Sequence, residues 1–202
     1  MPEPKVSIII PVYNDEDNLS RCLDSVANQT LQDIEILCID DASTDSSPFI
    51  IEEYNQKYPC IKSIRFEQNS SAYMARKAGI SRATGKYIMF VDGDDYLSID
   101  ACEKIYKIAE KKKVDILNFS SESVNAGTTE KKNNRMNRHL RPFYGKLTGS
   151  AIIDFCFIHH EIQWTLWNKI YSSAVCKKAV EELPDGYFPK GNDLFLYLAI
   201  CA

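Results

Sequence analysis

The chain has 202 residues, 45% of them hydrophobic, and a formal net charge of −4. Its length suits one well-packed domain, and its mildly acidic balance gives no general basis for binding nucleic acid. No apolar run approaches the ~20 residues that span a bilayer, and residues 1–5 show no signal-peptide pattern. The seven cysteines form no CxxC pair, so we expect buried thiols and a cytoplasmic location.

Strand and helix patterns alternate through the first half of the chain. Short apolar runs predict strands at Val6–Ile10, Ile34–Ile39, Ile61–Phe66, Tyr87–Val91 and Val114–Phe119. Apolar residues at helical spacing predict helices between them, at Leu19–Asn28, Pro48–Tyr58, Ser71–Ala83 and Asp100–Lys113, with Asp17 or Asn18 capping the first. This alternation predicts an α/β fold with a single Rossmann-like, mostly parallel sheet and helices on both faces.

The pattern changes after the fifth predicted strand. Residues 120–150 are polar and contain a basic cluster at 131–141, which we interpret as a solvated, mobile loop. The alternative is a flap that meets a phosphate-bearing or membrane-associated partner. Further on, we predict a helix at Thr148–Phe157, a strand or short helix at Ile162–Tyr171, and a helix that begins at Asp193. The last apolar segment suggests missing residues or a second subunit, as in a homodimer.

Carboxylates follow two of the predicted strands. Asp40–Asp41 follows the second strand, and Asp92, Asp94 and Asp95 follow the fourth, where we expect them to face the site and not the core. The carboxyl ends of parallel strands meet at one edge of a sheet, where α/β proteins bind their ligands. In extended chain, Asp92 and Asp94 would point the same way and suit a divalent cation that also holds phosphates, while Gly93 would let a ligand approach the backbone. The alternative is an ordinary Asp/Gly turn.

Four segments together resemble the family 2 glycosyltransferases with the GT-A fold. They lie in the family's order and spacing at Val6–Tyr13, Cys22–Thr30, Glu35–Ser47 and Met89–Tyr96, and include PVYND, SVANQTLQDIEILCIDDASTD and FVDGDD. The later LWNKIYSS and YFPKGNDLF resemble bacterial members that build surface polysaccharides. One such motif is weak evidence, whereas four in register are specific.

The resemblance implies an enzyme that moves a sugar, with inversion, from a nucleotide-sugar to a saccharide or lipid-linked acceptor. The donor would be a UDP-sugar, and the cofactor would be Mg²⁺ or Mn²⁺. The resemblance also implies one domain over residues 1–202, with 1–120 as the nucleotide-sugar-binding half and 121–202 as the acceptor-side half, truncated at its C-terminus. A lipid-linked acceptor would bring the protein to the inner face of the membrane.

Residue by residue, the resemblance assigns nucleotide-sugar binding to Pro11, Val12, Tyr13, Asp15, Asp41, Arg76, Asp92 and Gly93, and direct cation binding to Asp94. Asp41 would accept a hydrogen bond from the base, and Asp92 would contact the ribose or the water shell of the metal. Arg76 would reach the donor phosphates, although an exposed helix arginine is the alternative.

Asp193 would match the family's catalytic base. An acceptor hydroxyl is a poor nucleophile, so a carboxylate must take its proton as it attacks. The alternative for Asp193 is a helix N-cap. The family often has Glu before this aspartate, where this chain has Asn192, which leaves the support of Asp193 in question.

Two other functions remain open from the sequence. The first is a nucleotide-sugar-binding module with the same fold and no turnover, which Asn192 and the chain end would suit. It would keep its affinity for the nucleotide without turning over the sugar. The second is a sugar nucleotidyltransferase, which predicts a glycine-rich phosphate loop where this chain has Pro11–Asn14.

Overall fold

A computed structural model describes residues 3–123, 145–160, 162–188 and 192–201. The basic cluster at 131–141, for which the sequence predicts a solvated loop or a flap, lies outside the described residues.

One six-stranded sheet organises the described chain. Its strands are β1 (Val6–Val12), β2 (Ile34–Asp40), β3 (Ile61–Arg65), β4 (Tyr87–Phe90), β5 (Ile116–Asn118) and β6 (Lys169–Ser172), in the order β3-β2-β1-β4-β6-β5. Strands β1 to β4 are parallel, and β6 is antiparallel to both β4 and β5. The predicted mostly parallel α/β sheet is confirmed, and β6 brings the two predicted halves of the chain into one sheet.

Seven helices are present in the part of the chain that the structure describes. They are α1 (Glu16–Ala27), α2 (Ser47–Lys57), α3 (Ala72–Arg82), α4 (Ala101–Lys112), α5 (Ala151–Phe157), α6 (Ser173–Glu182) and α7 (Asn192–Cys201). None of them is long and apolar enough to cross a membrane.

Three sequence predictions about elements need correction. Helix α1 begins at Glu16, so the predicted cap at Asp17 or Asn18 is wrong; the residue before the helix is Asp15. Only the end of the predicted Ile162–Tyr171 element is a strand. Helix α6 was not predicted from the sequence, although its buried residues Ser173, Cys176, Ala179 and Val180 keep helical spacing.

Two apolar cores cover the two faces of the sheet. Strand β1 is buried along its whole length, and its side chains alternate between them. Ile8 and Ile10 pack in the core that includes residues of α1, α2 and α4, whereas Ile9 packs with α3, α6 and α7. Helix α3 approaches the sheet closely at Gly79, where an added Cβ would meet Ile9 Cγ2 at 2.5 Å.

A buried carboxylate closes the sheet at the amino end of its parallel strands. Glu35 accepts hydrogen bonds from the Ser7 hydroxyl, from Thr84 and from the Gly85 N–H, and Lys62 donates to its second oxygen at 3.2 Å. Burial raises the pKa of Glu35, but the bonds from Ser7, Thr84 and Lys62 outweigh it and hold the pKa below its usual value. This polar cluster lies at the edge opposite the aspartate-rich strand ends, so it stabilises the fold away from the site.

Glu35→Gln tests this stabilisation. Because the folded pKa is lowered, the carboxylate stabilises the fold above its unfolded pKa of about 4.3, and this contribution is lost as pH falls through the folded value. We expect the variant to lose roughly 1–2 kcal/mol of unfolding free energy at neutral pH and much less near the acid limit of stability. Urea unfolding at both pH values measures this difference, and Glu53→Gln on the exposed face of α2 is the matched control. An equal loss at both pH values would contradict the charged role of Glu35.

Candidate functional site

A cavity of about 260 Å³ lies at the carboxyl ends of the parallel strands. It is lined by Pro11, Val12, Tyr13, Asp15, Asp41, Ala72, Arg76, Asp92, Gly93 and Asp94. Every residue that the sequence assigned to nucleotide-sugar or cation binding is therefore in one cavity, and Ala72 is added. The structure places these residues together; the individual roles given to them stay predictions.

The turn after β1 and the loop after β2 form one hydrogen-bonded wall. The Asn14 N–H donates to Ser43 Oγ at 3.0 Å, and Asn14 Oδ1 accepts from the Thr44 N–H at 2.8 Å. The Asp15 N–H donates to Ser47 Oγ at 2.9 Å. Asn14 has a φ of +55°, a left-handed conformation that asparagine tolerates better than most residues. The serines and the threonine of the second motif thus fix the shape of the first.

Asp41 is buried, and it fixes the entry to helix α3. One carboxylate oxygen accepts the Ser70 N–H at 2.6 Å and the other accepts the Ser71 N–H at 2.8 Å. Burial raises the pKa of Asp41 and these two bonds lower it, with a net rise. Ser71 has a φ of +87°, where a side chain is strained, so the two bonds also stabilise an unfavourable backbone. Asp41 therefore holds in place the helix that carries Arg76.

The aspartates after β4 lie in a turn, which corrects the extended geometry predicted for them. Strand β4 ends at Phe90, and the Asp95 N–H donates to the Asp92 carbonyl at 3.0 Å. Arg21 from α1 holds the turn from outside: its Nη2 donates to the Asp94 carbonyl at 2.8 Å, and its guanidinium lies 5.0 Å from the Tyr96 ring centroid. The sequence indicated which residues face the cavity but not the backbone path that aims them.

Gly93 makes room for a protein carboxylate, which changes the explanation given from sequence. A Cβ added at Gly93 would meet Asp15 Oδ2 at 2.5 Å. The close approach in this structure is thus made by Asp15, whose Oδ2 also accepts the Tyr13 N–H at 3.3 Å. Because Gly93 has no side chain, the turn after β4 can pack against the turn after β1.

Negative charge accumulates around this turn. Burial raises the pKa of Asp15, and the nearby charges of Asp94, Asp45 and Asp92 raise it further against the Tyr13 N–H. Partial burial and the charges of Asp92 and Asp94 raise the pKa of Asp95 to about 6. Within the described residues, no three His, Cys, Asp or Glu side chains converge to form a metal site by themselves. Any cation here would need oxygen ligands from another molecule as well.

Arg76 lies among the cavity residues, so its contact with the donor phosphates stays a prediction, whereas the alternative of an exposed helix arginine is wrong. Its side chain is only 6% exposed, so it is not a surface arginine. Its Nη2 lies 2.6 Å from Asp92 Oδ1, and its Nη1 lies 2.9 Å from Asp193 Oδ1. One buried guanidinium therefore connects the cavity wall to the carboxylate predicted to be the base. A sequence pattern did not indicate this, because the three residues are far apart in the chain.

Asp193 is the second residue of α7, and its carboxylate is largely buried. Burial raises its pKa, the Arg76 charge opposes that rise, and the negative charge of Asp92 adds to it. The backbone N–H of Leu166, in the segment just before β6, also lowers the pKa of this carboxylate. The net effect is a raised pKa, which makes the ionised carboxylate a stronger proton acceptor.

Comparisons with known proteins agree with this arrangement. The family model described as glycosyl transferase family 2 matches residues 7–170. The chain is 46% identical over 115 residues to the poly(ribitol-phosphate) beta-glucosyltransferase of Bacillus spizizenii, covering 55% of this chain and 18% of that protein. It is 33% identical over 172 residues to the EpsH protein of Bacillus subtilis, covering 85% of this chain and 48% of that one.

The fold is also similar to that of a solved glycosyltransferase structure. Residues 1–349 of S. aureus TarS superimpose with a TM-score of 0.78 at 24% identity, covering 98% of this chain and 55% of that one. TarS was also solved with UDP and with UDP-GlcNAc, and these structures give TM-scores of 0.74 and 0.73.

The sheet, its helices and this similarity define a GT-A fold of the glycosyltransferase type. The chain belongs to glycosyl transferase family 2, which confirms the resemblance to members of the bacterial surface-polysaccharide type. It spans less than half the length of both sequence relatives and about half of the TarS chain.

Gly93→Ala tests the contact between the two turns. The new methyl group would displace the Asp15 carboxylate, and we expect a loss of roughly 1–2 kcal/mol of unfolding free energy, since overpacking against a movable side chain is at the low end of such costs. Denaturant unfolding of Gly93→Ala, Asp15→Ala and the double variant measures the coupling. The cost of Gly93→Ala should largely disappear in the Asp15→Ala background; an unchanged cost would show that the clash lies elsewhere.

Proposed function

We propose that the chain is the catalytic part of an inverting, metal-dependent glycosyltransferase that moves a sugar from a UDP-sugar to a saccharide or lipid-linked acceptor in polysaccharide synthesis. The observation that carries the proposal is the junction between the cavity and the predicted base. Residues from β1, β2, α3 and β4 line one cavity, and Arg76 connects that cavity to Asp193. A transferase needs this pairing of a donor site with a proton acceptor, whereas a simple binding module does not.

Asp193 is the proposed general base. Its raised pKa and its low exposure suit a carboxylate that removes a proton from an attacking hydroxyl. The Arg76 charge opposes the rise that burial causes in the pKa of this carboxylate, which favours its ionised form, and Arg76 fixes its direction through Oδ1. The hydroxyl proton would pass to Asp193 as the acceptor oxygen bonds to the anomeric carbon and the nucleoside diphosphate leaves from the opposite face.

The donor set at the cavity fits a hard divalent cation. Asp94 is exposed at the cavity and Asp92 lies beside it, and two carboxylates in this arrangement support the proposal of a hard cation there. Asp94, with Asp92 nearby, would hold Mg²⁺ or Mn²⁺ together with the donor's phosphate oxygens. When bound, the cation would neutralise charge on the departing diphosphate.

A uridine nucleotide is the proposed donor base, with support from TarS, which was crystallised with UDP and UDP-GlcNAc. Asp41 is suitably placed in the cavity wall, but Ser70 and Ser71 already donate to its two oxygens. A base N–H would therefore bind to a remaining lone pair of this carboxylate. We also propose a saccharide or lipid-linked acceptor and a homodimer. The protein would be cytoplasmic, in contact with the inner face of the membrane.

UDP titration with and without Mn²⁺ tests the donor site. We expect Asp94→Asn to remove most of the metal-dependent gain in affinity, since it replaces a charged oxygen with an amide, while Asp100→Asn changes the affinity by less than about threefold. Asp100 makes the matched control because it pairs with Lys104 and is not among the residues lining the cavity. Calorimetry measures both. An affinity for UDP that changes neither with Mn²⁺ nor in Asp94→Asn would rule out the proposed cation site.

Asp193→Asn separates the enzyme from the binding module. We expect the rate of UDP release from a UDP-sugar to fall by roughly 10²- to 10⁴-fold, with the affinity for UDP almost unchanged, because the amide cannot accept the proton. In the unmodified protein, the raised pKa of Asp193 should place the acidic limb of kcat above the usual range of an aspartate. Asp185→Asn, an exposed aspartate paired with Lys77, is the control. Full activity in Asp193→Asn would refute the base role.

A further inference from the structure

Lys169 is a fully buried lysine that the proposed reaction does not yet use. It lies in β6 with no exposed surface. A buried ammonium is costly unless it is well hydrogen-bonded, so its contacts should show what it stabilises. Its environment is built from three segments: the loop before β6, helix α5 and helix α7.

The first contact closes the loop at residues 165–168. Lys169 Nζ donates to the Thr165 carbonyl at 2.6 Å and to Asn168 Oδ1 at 2.8 Å. The Thr165 hydroxyl donates to the same Asn168 Oδ1 at 3.0 Å. The ammonium therefore ties both ends of this short loop together.

The second contact reaches the helix that carries the proposed base. Lys169 Nζ lies 5.0 Å from the centroid of the Tyr197 ring, within the range of a cation–π interaction. Tyr197 is four residues after Asp193 in α7, so it is on the same side of the helix one turn later. The cation thus joins the loop to the first turns of α7.

The two contacts of Lys169 bear on the position of Asp193. Lys169 holds Tyr197, one turn after Asp193 in α7, against the loop, while Arg76 binds the Asp193 carboxylate from the cavity side, with its Nη1 2.9 Å from Oδ1. The direction of the carboxylate relative to Arg76 therefore depends on where Lys169 holds α7.

We propose that Lys169 is a positioning residue for sugar transfer: it fixes α7 against the loop at 165–168 through Tyr197, so that Asp193 is held beside Arg76 in its reactive direction. The inference rests on the proposed role of Asp193 as the base.

The charge of Lys169 gives this role a measurable electrostatic consequence. The titratable groups that face it are Cys156 on α5 and Cys201, Tyr197 and Asp193 on α7. Burial lowers the pKa of Lys169 to about 7, and the interactions with Cys156, Cys201 and Asp193 oppose this. In turn, the Lys169 charge lowers the pKa of Asp193. Removing it should raise that pKa and move the acidic limb of kcat to higher pH.

The test compares Lys169→Met and Lys169→Arg by the rate of UDP release from UDP-glucose or UDP-GlcNAc. We expect Lys169→Met to lower kcat roughly 10- to 100-fold, since a small misplacement of a reacting group costs this much, with KM and the UDP affinity nearly unchanged. The acidic limb of its kcat should shift to higher pH. Lys169→Arg should return the limb to its original pH and restore part of kcat. Asn168→Ala keeps the charge but removes one loop anchor, so it should lower kcat without moving the limb, even if Lys169→Met fails to fold.

Lys77→Met is the matched control, because Lys77 Nζ also donates to a backbone carbonyl, that of Leu183, at 2.6 Å, and does so away from Asp193. It should keep kcat and its pH profile. Normal kcat in Lys169→Met together with inactivity of Asp193→Asn would overturn only the role of Lys169. Normal kcat in Asp193→Asn would overturn that role and the proposed base together. A limb that stays in place in Lys169→Met would also overturn the inference.

Discussion

The paired ion contacts of Arg76 hold the site together. A buried guanidinium is unfavourable unless carboxylates compensate for its lost hydration, and here two do so from different parts of the chain. Asp92 comes from the end of β4 and Asp193 from α7, so the arginine fixes the distance between the donor cavity and the last helix. Asp41 holds the start of the helix from which Arg76 extends. Asp92 and Asp193, which look like separate motifs in sequence, are therefore joined by one buried cation, and Asp41 fixes the helix that carries that cation.

The amino and carboxyl ends of the parallel strands, called here the amino edge and the carboxyl edge, differ in the surroundings of their carboxylates. At the amino edge, the carboxylate of Glu35 is surrounded by donors, so its negative charge is satisfied and stabilises the fold. At the carboxyl edge, the charges of Asp92 and Asp94 raise the pKa values of Asp15 and Asp95. Carboxylates crowded in this way cost stability and favour binding of a cation. This contrast separates structural carboxylates from candidate functional ones without reference to any relative.

Local pattern was enough to predict the parallel strands, most helices and the acidic strand ends at the cavity, because apolar periodicity and acidic strand ends are written in short stretches. The other residues that line the cavity were assigned by the resemblance to the family. Local pattern was not enough for features that long-range contacts decide. The burial of Arg76 depends on Asp193, which is more than a hundred residues away. Glycine is needed at position 93 because the Asp15 carboxylate, from the turn after β1, occupies the space that a Cβ would take. Lys169 looked like one more lysine in a motif, since nothing in sequence shows which side chains will surround it.

The late position of β6 in the sequence affects how the sheet can form during translation. In the described chain, β5 hydrogen-bonds to β6 and to no other strand. All four parallel strands are translated before β5, but β6 comes after it. Until Lys169–Ser172 is translated, neither β5 nor the free side of β4 has its partner among the described strands. A nascent chain thus carries unpaired strand edges over this interval, which is a known route to aggregation.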